Sequence, residues 1–80
     1  MKIPIIQGLV EKHSIEILKK AEMALVAEEP LPIEVVGDDE GEQLTHIIAA
    51  SWILKIMDQE EIDFKTALKE YTRKVRESIS

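Results

Sequence analysis

Residues 42–59 read EQLTHIIAASWILKIMDQ, and the fold turns on what surrounds this stretch. At 100° per residue, Ile47, Ile48, Ala49, Ala50, Trp52, Ile53, Leu54, Ile56 and Met57 point in nearly every direction around a helix. Only a narrow strip holding Ser51, Lys55 and Asp58 is polar. A helix that is apolar all round has to be enclosed. Three neighbouring helices of the same chain would do it, or two neighbours and a second copy of the protein. The excess of apolar directions favours the second arrangement, with Trp52, Ile53, Ile56 and Met57 at a homodimer interface. The lone tryptophan would be its anchor, because Trp is enriched at interface hot spots; core filling is the competing role for that ring.

On the C-terminal side, Asp63 is placed to cap a last helix. Phe64, Ala67, Leu68, Tyr71, Val75 and Ile79 then follow an i, i+3/i+4, i+7 stripe. An adjacent sector carries Lys65, Lys69, Arg73 and Arg76. Such a face can grip an acidic protein partner, or the acidic stretch of a neighbouring copy. A solvated face that complements the helix C-terminal dipole is the plain alternative.

On the N-terminal side, residues 29–41 (EPLPIEVVGDDEG) form the irregular part of the chain. Residues 28–42 carry Glu28, Glu29, Glu34, Asp38, Asp39, Glu40 and Glu42 with no basic residue. Ile33, Val35 and Val36 could make a brief extended segment, although a lone strand has no partner. Before this loop, Ser14 is a natural N-cap, and Ile17, Leu18, Ala21, Ala24 and Leu25 share one side of a second helix. Pro30 and Pro32 cannot continue that helix, so it should end near Glu28. Residues 3–12 predict a short opening helix with Pro4 in its first turn and Ile3, Ile6 and Val10 on one face.

The expected fold is therefore all-α and a single domain over residues 1–80: a small bundle of three long helices, a short N-terminal helix and an acidic irregular loop at about 29–41. Eighty residues can bury only about 60–65% of their unfolded surface, so the core is thin. Apolar residues make up 45% of the chain and charged residues 32%, a balance that argues against disorder. The apolar window from Ile47 to Met57 falls far short of the roughly 20 residues of a membrane span. The chain has no cysteine, which favours a reducing, cytoplasmic setting and rules out thiol chemistry. A net charge of −6 repels phosphate backbones and anionic membranes, so neither nucleic acid nor membrane is the expected partner.

Few constellations could carry chemistry. Glu42 and His46 lie four residues apart on one helical face, with Asp38 and Asp39 close by; carboxylates and an imidazole could hold a divalent metal. The Glu-x-x-His spacing of bundle di-iron sites is missing, and so is the oxygen pattern of an EF-hand. The competing reading is a charged helix start with His46 partly buried beside Ile53 and Met57. No serine sits in a Gly-flanked nucleophile turn, no Gly-rich phosphate loop exists among the three glycines, and the acidic helix start lacks the serine of a phosphopantetheine carrier. No cofactor is implied, and an enzyme is not expected.

Leu31 to Arg76, with GDDEGEQLTH leading into the Trp-containing helix and IDFKTAL after it, resembles a family of small uncharacterised bacterial proteins. The resemblance covers nearly the whole chain. It implies one domain and a bacterial cytosolic setting, and it brings no catalytic residues. The function expected from sequence is a non-catalytic interaction or accessory protein acting as a homodimer. The alternative is a metal- or small-ligand-binding protein using Asp38, Asp39, Glu42 and His46.

Overall fold

The computed structural model describes residues 2–79, without the side chains of Ser78 and Ile79. Ile79, assigned to the last apolar stripe by spacing, thus lies outside the described side chains. The described residues form four helices: α1 (Ile3–Lys12), α2 (Ile15–Val26), α3 (Glu40–Glu60) and α4 (Phe64–Ile79). The chain is an all-α bundle, and no helix is long and apolar enough to cross a membrane.

Each helix starts where a short polar side chain or a proline permits it. Pro4 sits in the first turn of α1, where its missing N–H leaves no bond unmade. Ser14 Oγ accepts the Ile17 N–H at 3.3 Å to open α2. Asp39 Oδ1 accepts the Glu42 N–H at 2.8 Å to open α3, and Asp63 Oδ1 accepts the Thr66 N–H at 2.9 Å to open α4. These bonds satisfy donors that a helix cannot satisfy itself.

The helix ends are less ordinary. Helix α2 stops at Val26, slightly before the Glu28 expected from the prolines. Glu28 N–H then bonds Leu25 C=O and Glu29 N–H bonds Ala24 C=O, a Schellman turn that consumes the last carbonyls. That turn puts Glu28 at φ 58°, a left-handed position usually given to glycine. Glu61, which ends α3, stands at φ 53°.

Helix α3 is the axis of the molecule, in contact with α1, α2 and α4. Three neighbours of the same chain thus cover most of its apolar surface, with Ile48 left 40% exposed. The core gathers Ile6, Leu9 and Val10 from α1, Leu18 and Ala21 from α2, Ile47 and Ile53 from α3, and Val35 from the loop. Ala21, Ala49, Ala50 and Ala67 have no exposed surface; small residues at helix contacts let the axes approach closely. Ile3, expected to join Ile6 and Val10, is instead largely exposed.

The helix directions follow from who meets whom. Lys2 touches His46, while His13 to Glu16 border Leu54 and Asp58, so α1 runs alongside α3 in the same direction. Val26 lies near Leu44, so α2 runs back against α3. The loop between them forms no strand among the described residues. It folds over α1, with Glu34 and Val36 beside Pro4 and Gly8.

Candidate functional site

The acidic loop and His46 come first, because sequence singled them out. His46 has no exposed surface. Its Nε2 accepts the Lys2 backbone N–H at 3.0 Å, and its Nδ1 lies 2.8 Å from the Val36 carbonyl oxygen. A backbone N–H only donates and a carbonyl only accepts, so the proton sits on Nδ1. Both ring nitrogens are thereby committed to backbone, which leaves none for a metal. His46 ties the start of α1 to the end of the loop across a separation of 44 residues.

The neighbouring carboxylates are equally occupied. Asp39 caps α3, and Glu42 Oε1 reaches back past the cap to accept the Asp38 N–H at 3.0 Å, one residue beyond the partner of a capping box. Among the described residues no group of three or more His, Asp or Glu side chains is arranged to hold a metal ion. The four candidate ligands Asp38, Asp39, Glu42 and His46 do not converge, because helix capping turns two outward and burial draws the fourth inward. Gln43 completes this corner by donating from Nε2 to the Val35 carbonyl at 2.9 Å. Sequence gave no signal for Gln43, since its partner is backbone of a loop without periodicity.

The expected interface residues are drawn into the protomer. Ile53 is fully buried, and Trp52, Ile56 and Met57 pack against the same core. Trp52 lies against Tyr71 of α4, ring centroids 5.3 Å apart and planes tilted by 54°, an arrangement aromatic quadrupoles favour. Burial pushes the Tyr71 hydroxyl above the ordinary tyrosine range. Trp52, Ile56 and Met57 keep part of their surface open.

Two other surfaces stand open. On α4, Lys65, Lys69, Arg73 and Arg76 are all exposed and fall within one sector of the helix. Their span is about 16 Å at 1.5 Å per residue. Leu68, Lys69, Thr72, Arg73 and Arg76 line a shallow depression there. The helix outruns its support. Ala67 is buried and Phe64, Leu68 and Tyr71 are partly so, but every residue from Thr72 to Glu77 is exposed. Val75 continues the apolar stripe into this overhang with 38% of its surface open. At the other end of α4, hydrogen bonds from Thr66 hold the Asp63 carboxyl below its ordinary range.

The second surface is formed by α2 and α3, where Met23 is 70%, Val26 69% and Ile48 40% exposed. A groove of about 380 Å³ runs between them, lined also by Leu44, Ala27 and Glu22.

A larger concavity, about 480 Å³, is bordered by His13, Ser14, Glu16 and Asp58. Ser14 is spent as the α2 cap, and no hydrogen bond links His13, Ser14 and Asp58 among the described residues. Nucleophile and base within bonding reach are the minimum for covalent catalysis, and this concavity does not supply them.

A model of one protein family matches residues 1–80. The chain belongs to DUF6952, a family of unknown function. No curated protein and no solved structure matches it. For this DUF6952 chain the surfaces just described carry the argument for function.

Proposed function

We propose that this chain is a non-catalytic interaction protein that holds an acidic protein partner against α4, in a bacterial cytoplasmic setting. The observation that carries the reading is the overhang of α4. A regular helix continues past the core with Val75 uncovered and Arg73 and Arg76 beside it, in line with Lys65 and Lys69. Ordering exposed helix without packing contributes little to folding, since most helix stability in proteins comes from the buried face. A partly apolar strip flanked by cations suits a partner of opposite charge, with the apolar contact giving affinity and the charges giving orientation and on-rate. The net charge of −6 disfavours phosphate polymers as that partner. The absence of cysteine supports the reducing compartment.

The test is affinity capture from lysate of the source cell, comparing the native protein with Lys65→Glu/Lys69→Glu/Arg73→Glu. The proteins held by the native chain should be acidic, should elute as salt is raised, and should be missing with the reversed chain. Circular dichroism should show the reversed chain folded, because all three positions are exposed. Unchanged capture would return this face to plain solvation.

A further inference from the structure

We infer that the acidic partner of α4 presents a helix, seated along the seam that Leu68, Thr72 and Val75 form. This rests on the α4 reading above and names the shape and chemistry of what that face holds. Leu68, Thr72 and Val75 follow the four-three spacing of a helix-pairing seam. Leu68 is partly buried, while Thr72 and Val75 are exposed. Beside the seam, Lys69, Thr72, Arg73 and Arg76 stand at i, i+3, i+4 and i+7, the four corners of a hole on a helix surface. The surface is depressed there, lined by these four residues and Leu68. The Thr72 hydroxyl donates to the Leu68 carbonyl at 2.9 Å, so the donors left around the hole are cations. An acidic side chain suits it.

The charges of α4 are sorted around this seam. Lys65, Lys69 and Arg76 border it, about 50–90° round the helix from its centre, and Arg73 follows at about 130°. Glu70 and Glu77 fall about 170° away, on the far side, with Lys74 beside them. Glu60, Glu61 and Asp63 lie at or before the helix start, more than a turn ahead of Leu68. The mode of holding follows by comparison. An added strand needs a sheet edge, and the described residues contain no strand. A polyproline segment needs an aromatic-lined groove, but Tyr71 is engaged with Trp52 and no aromatic residue follows it. A helix arrives with its backbone bonds satisfied and offers one side chain to each hole. A second copy does not fit: its α4 carries the same cations, and its acidic stretch is mostly loop with Lys12 and Lys20 beside it. The occupant is another protein's helix, apolar in three-four spacing with Glu or Asp alongside.

Two synthetic peptides of about 18 residues, long enough for a helix to form on binding, test this. They share one composition: the first has Leu in three-four spacing flanked by Glu, and the second is scrambled. Glu on both flanks keeps the ordered peptide from pairing with itself. In calorimetric titration of the full chain, the ordered peptide should bind about tenfold tighter than the scrambled one or better, the size of a hot-spot contact. Its binding should raise helix content and shift the amides of Leu68, Thr72 and Val75. Val75→Asp should weaken it roughly tenfold or more; circular dichroism checks the fold, and Val75→Ser reads a smaller loss if the aspartate variant does not fold. Lys69→Glu/Arg76→Glu should lose the ordered peptide and gain one with Lys in place of Glu. Equal affinity for the ordered and scrambled peptides would overturn the helix and leave the acidic-partner reading standing. Binding of neither would overturn both. Ordered-peptide binding indifferent to both Val75 variants, or a reversed chain that rejects the Lys peptide, would overturn the seam.

Discussion

The His46 corner and the outer half of α4 use the same kinds of residue in opposite ways. At the corner, an imidazole, two carboxylates and a carboxamide all face backbone: His46 on Lys2 and Val36, Asp39 on Glu42, Glu42 on Asp38, Gln43 on Val35. Each of these polar groups closes a loop or starts a helix. On α4, Lys69, Arg73 and Arg76 reach into solvent from a helix whose last turns bury nothing described. Polar residues that are satisfied internally make structure, and polar residues left outward on a rigid element are available for binding. A cluster of His and acidic residues in sequence belongs to the first class here, and a stripe of Lys and Arg to the second.

The largest effect should come from breaking the corner. His46→Ala removes a fully buried ring and strands the Lys2 N–H and the Val36 C=O. Those two backbone groups are part-buried, so unpairing them costs toward the low end of about 1–3 kcal/mol each, and the cavity left by the fully buried ring adds to that. A loss of roughly 3 kcal/mol or more is expected in urea unfolding, a large share of what holds a domain of this size. The triple reversal on α4 should change the same midpoint little, since exposed substitutions usually stay within about 0.5 kcal/mol. If His46→Ala were equally mild, the contrast between the two regions would collapse.

A sharper probe of the corner is Gly37. A Cβ built there would stand 2.8 Å from the Gln43 backbone nitrogen and 2.8 Å from its Cγ. The Cγ can swing aside; the nitrogen belongs to the first turn of α3 and cannot. Gly37 is needed for the close approach of loop to helix, not for an unusual φ. Gly37→Ala should therefore cost about 1–3 kcal/mol, the usual range for forcing atoms into a packed site. Amide exchange should rise at Gln43 and across residues 33–38 while α4 is unaffected. Protection unchanged at the loop would mean that its contact with α3 is looser than the geometry requires.

Sequence reads local signals well and distant backbone poorly. Ser14, Asp39 and Asp63 announce their helices because a cap is a contact over three residues, and Pro30 with Pro32 bounds α2 for the same reason. The burial of α3 was legible from its wheel, but the identity of its third neighbour was not: a wheel gives directions, never occupants. Hence spacing gave no sign that Ile53 is fully buried or that Trp52 stacks on Tyr71 of α4. Met23 and Val26, placed on no particular face by spacing, turn out to be exposed. His46 was visible as a residue near acids, yet its two partners are backbone groups 44 and 10 residues away, and no side-chain pattern encodes them. The basic sector of α4 was legible because its residues share one helix. That Val75 lies beyond the core depends on where α3 and its neighbours stop, a length that spacing within α4 cannot supply.

The smallest effect concerns the two left-handed glutamates, and its sign is opposite. At φ 58° and 53°, Glu28 and Glu61 hold a conformation that disfavours any Cβ by about 1–2 kcal/mol. Glycine relieves that strain but gives the unfolded chain more freedom, which takes back about 0.4–1 kcal/mol. For Glu61 a further gain opposes the entropy term: Asp58, Glu60 and Glu61 all crowd the negative end of the α3 dipole, with no basic residue in its last turn. Removing one of those charges favours the helix. Glu61→Gly should thus raise stability by about 0.5–1 kcal/mol and Glu28→Gly by somewhat less, both read as a shift of the urea midpoint at constant slope. Neither lies on the α4 stripe, so partner capture should be unaltered. A loss of stability in Glu61→Gly would show that the glutamate side chain makes a contact worth more than the strain, and would move the α3–α4 turn from the open region to the closed one.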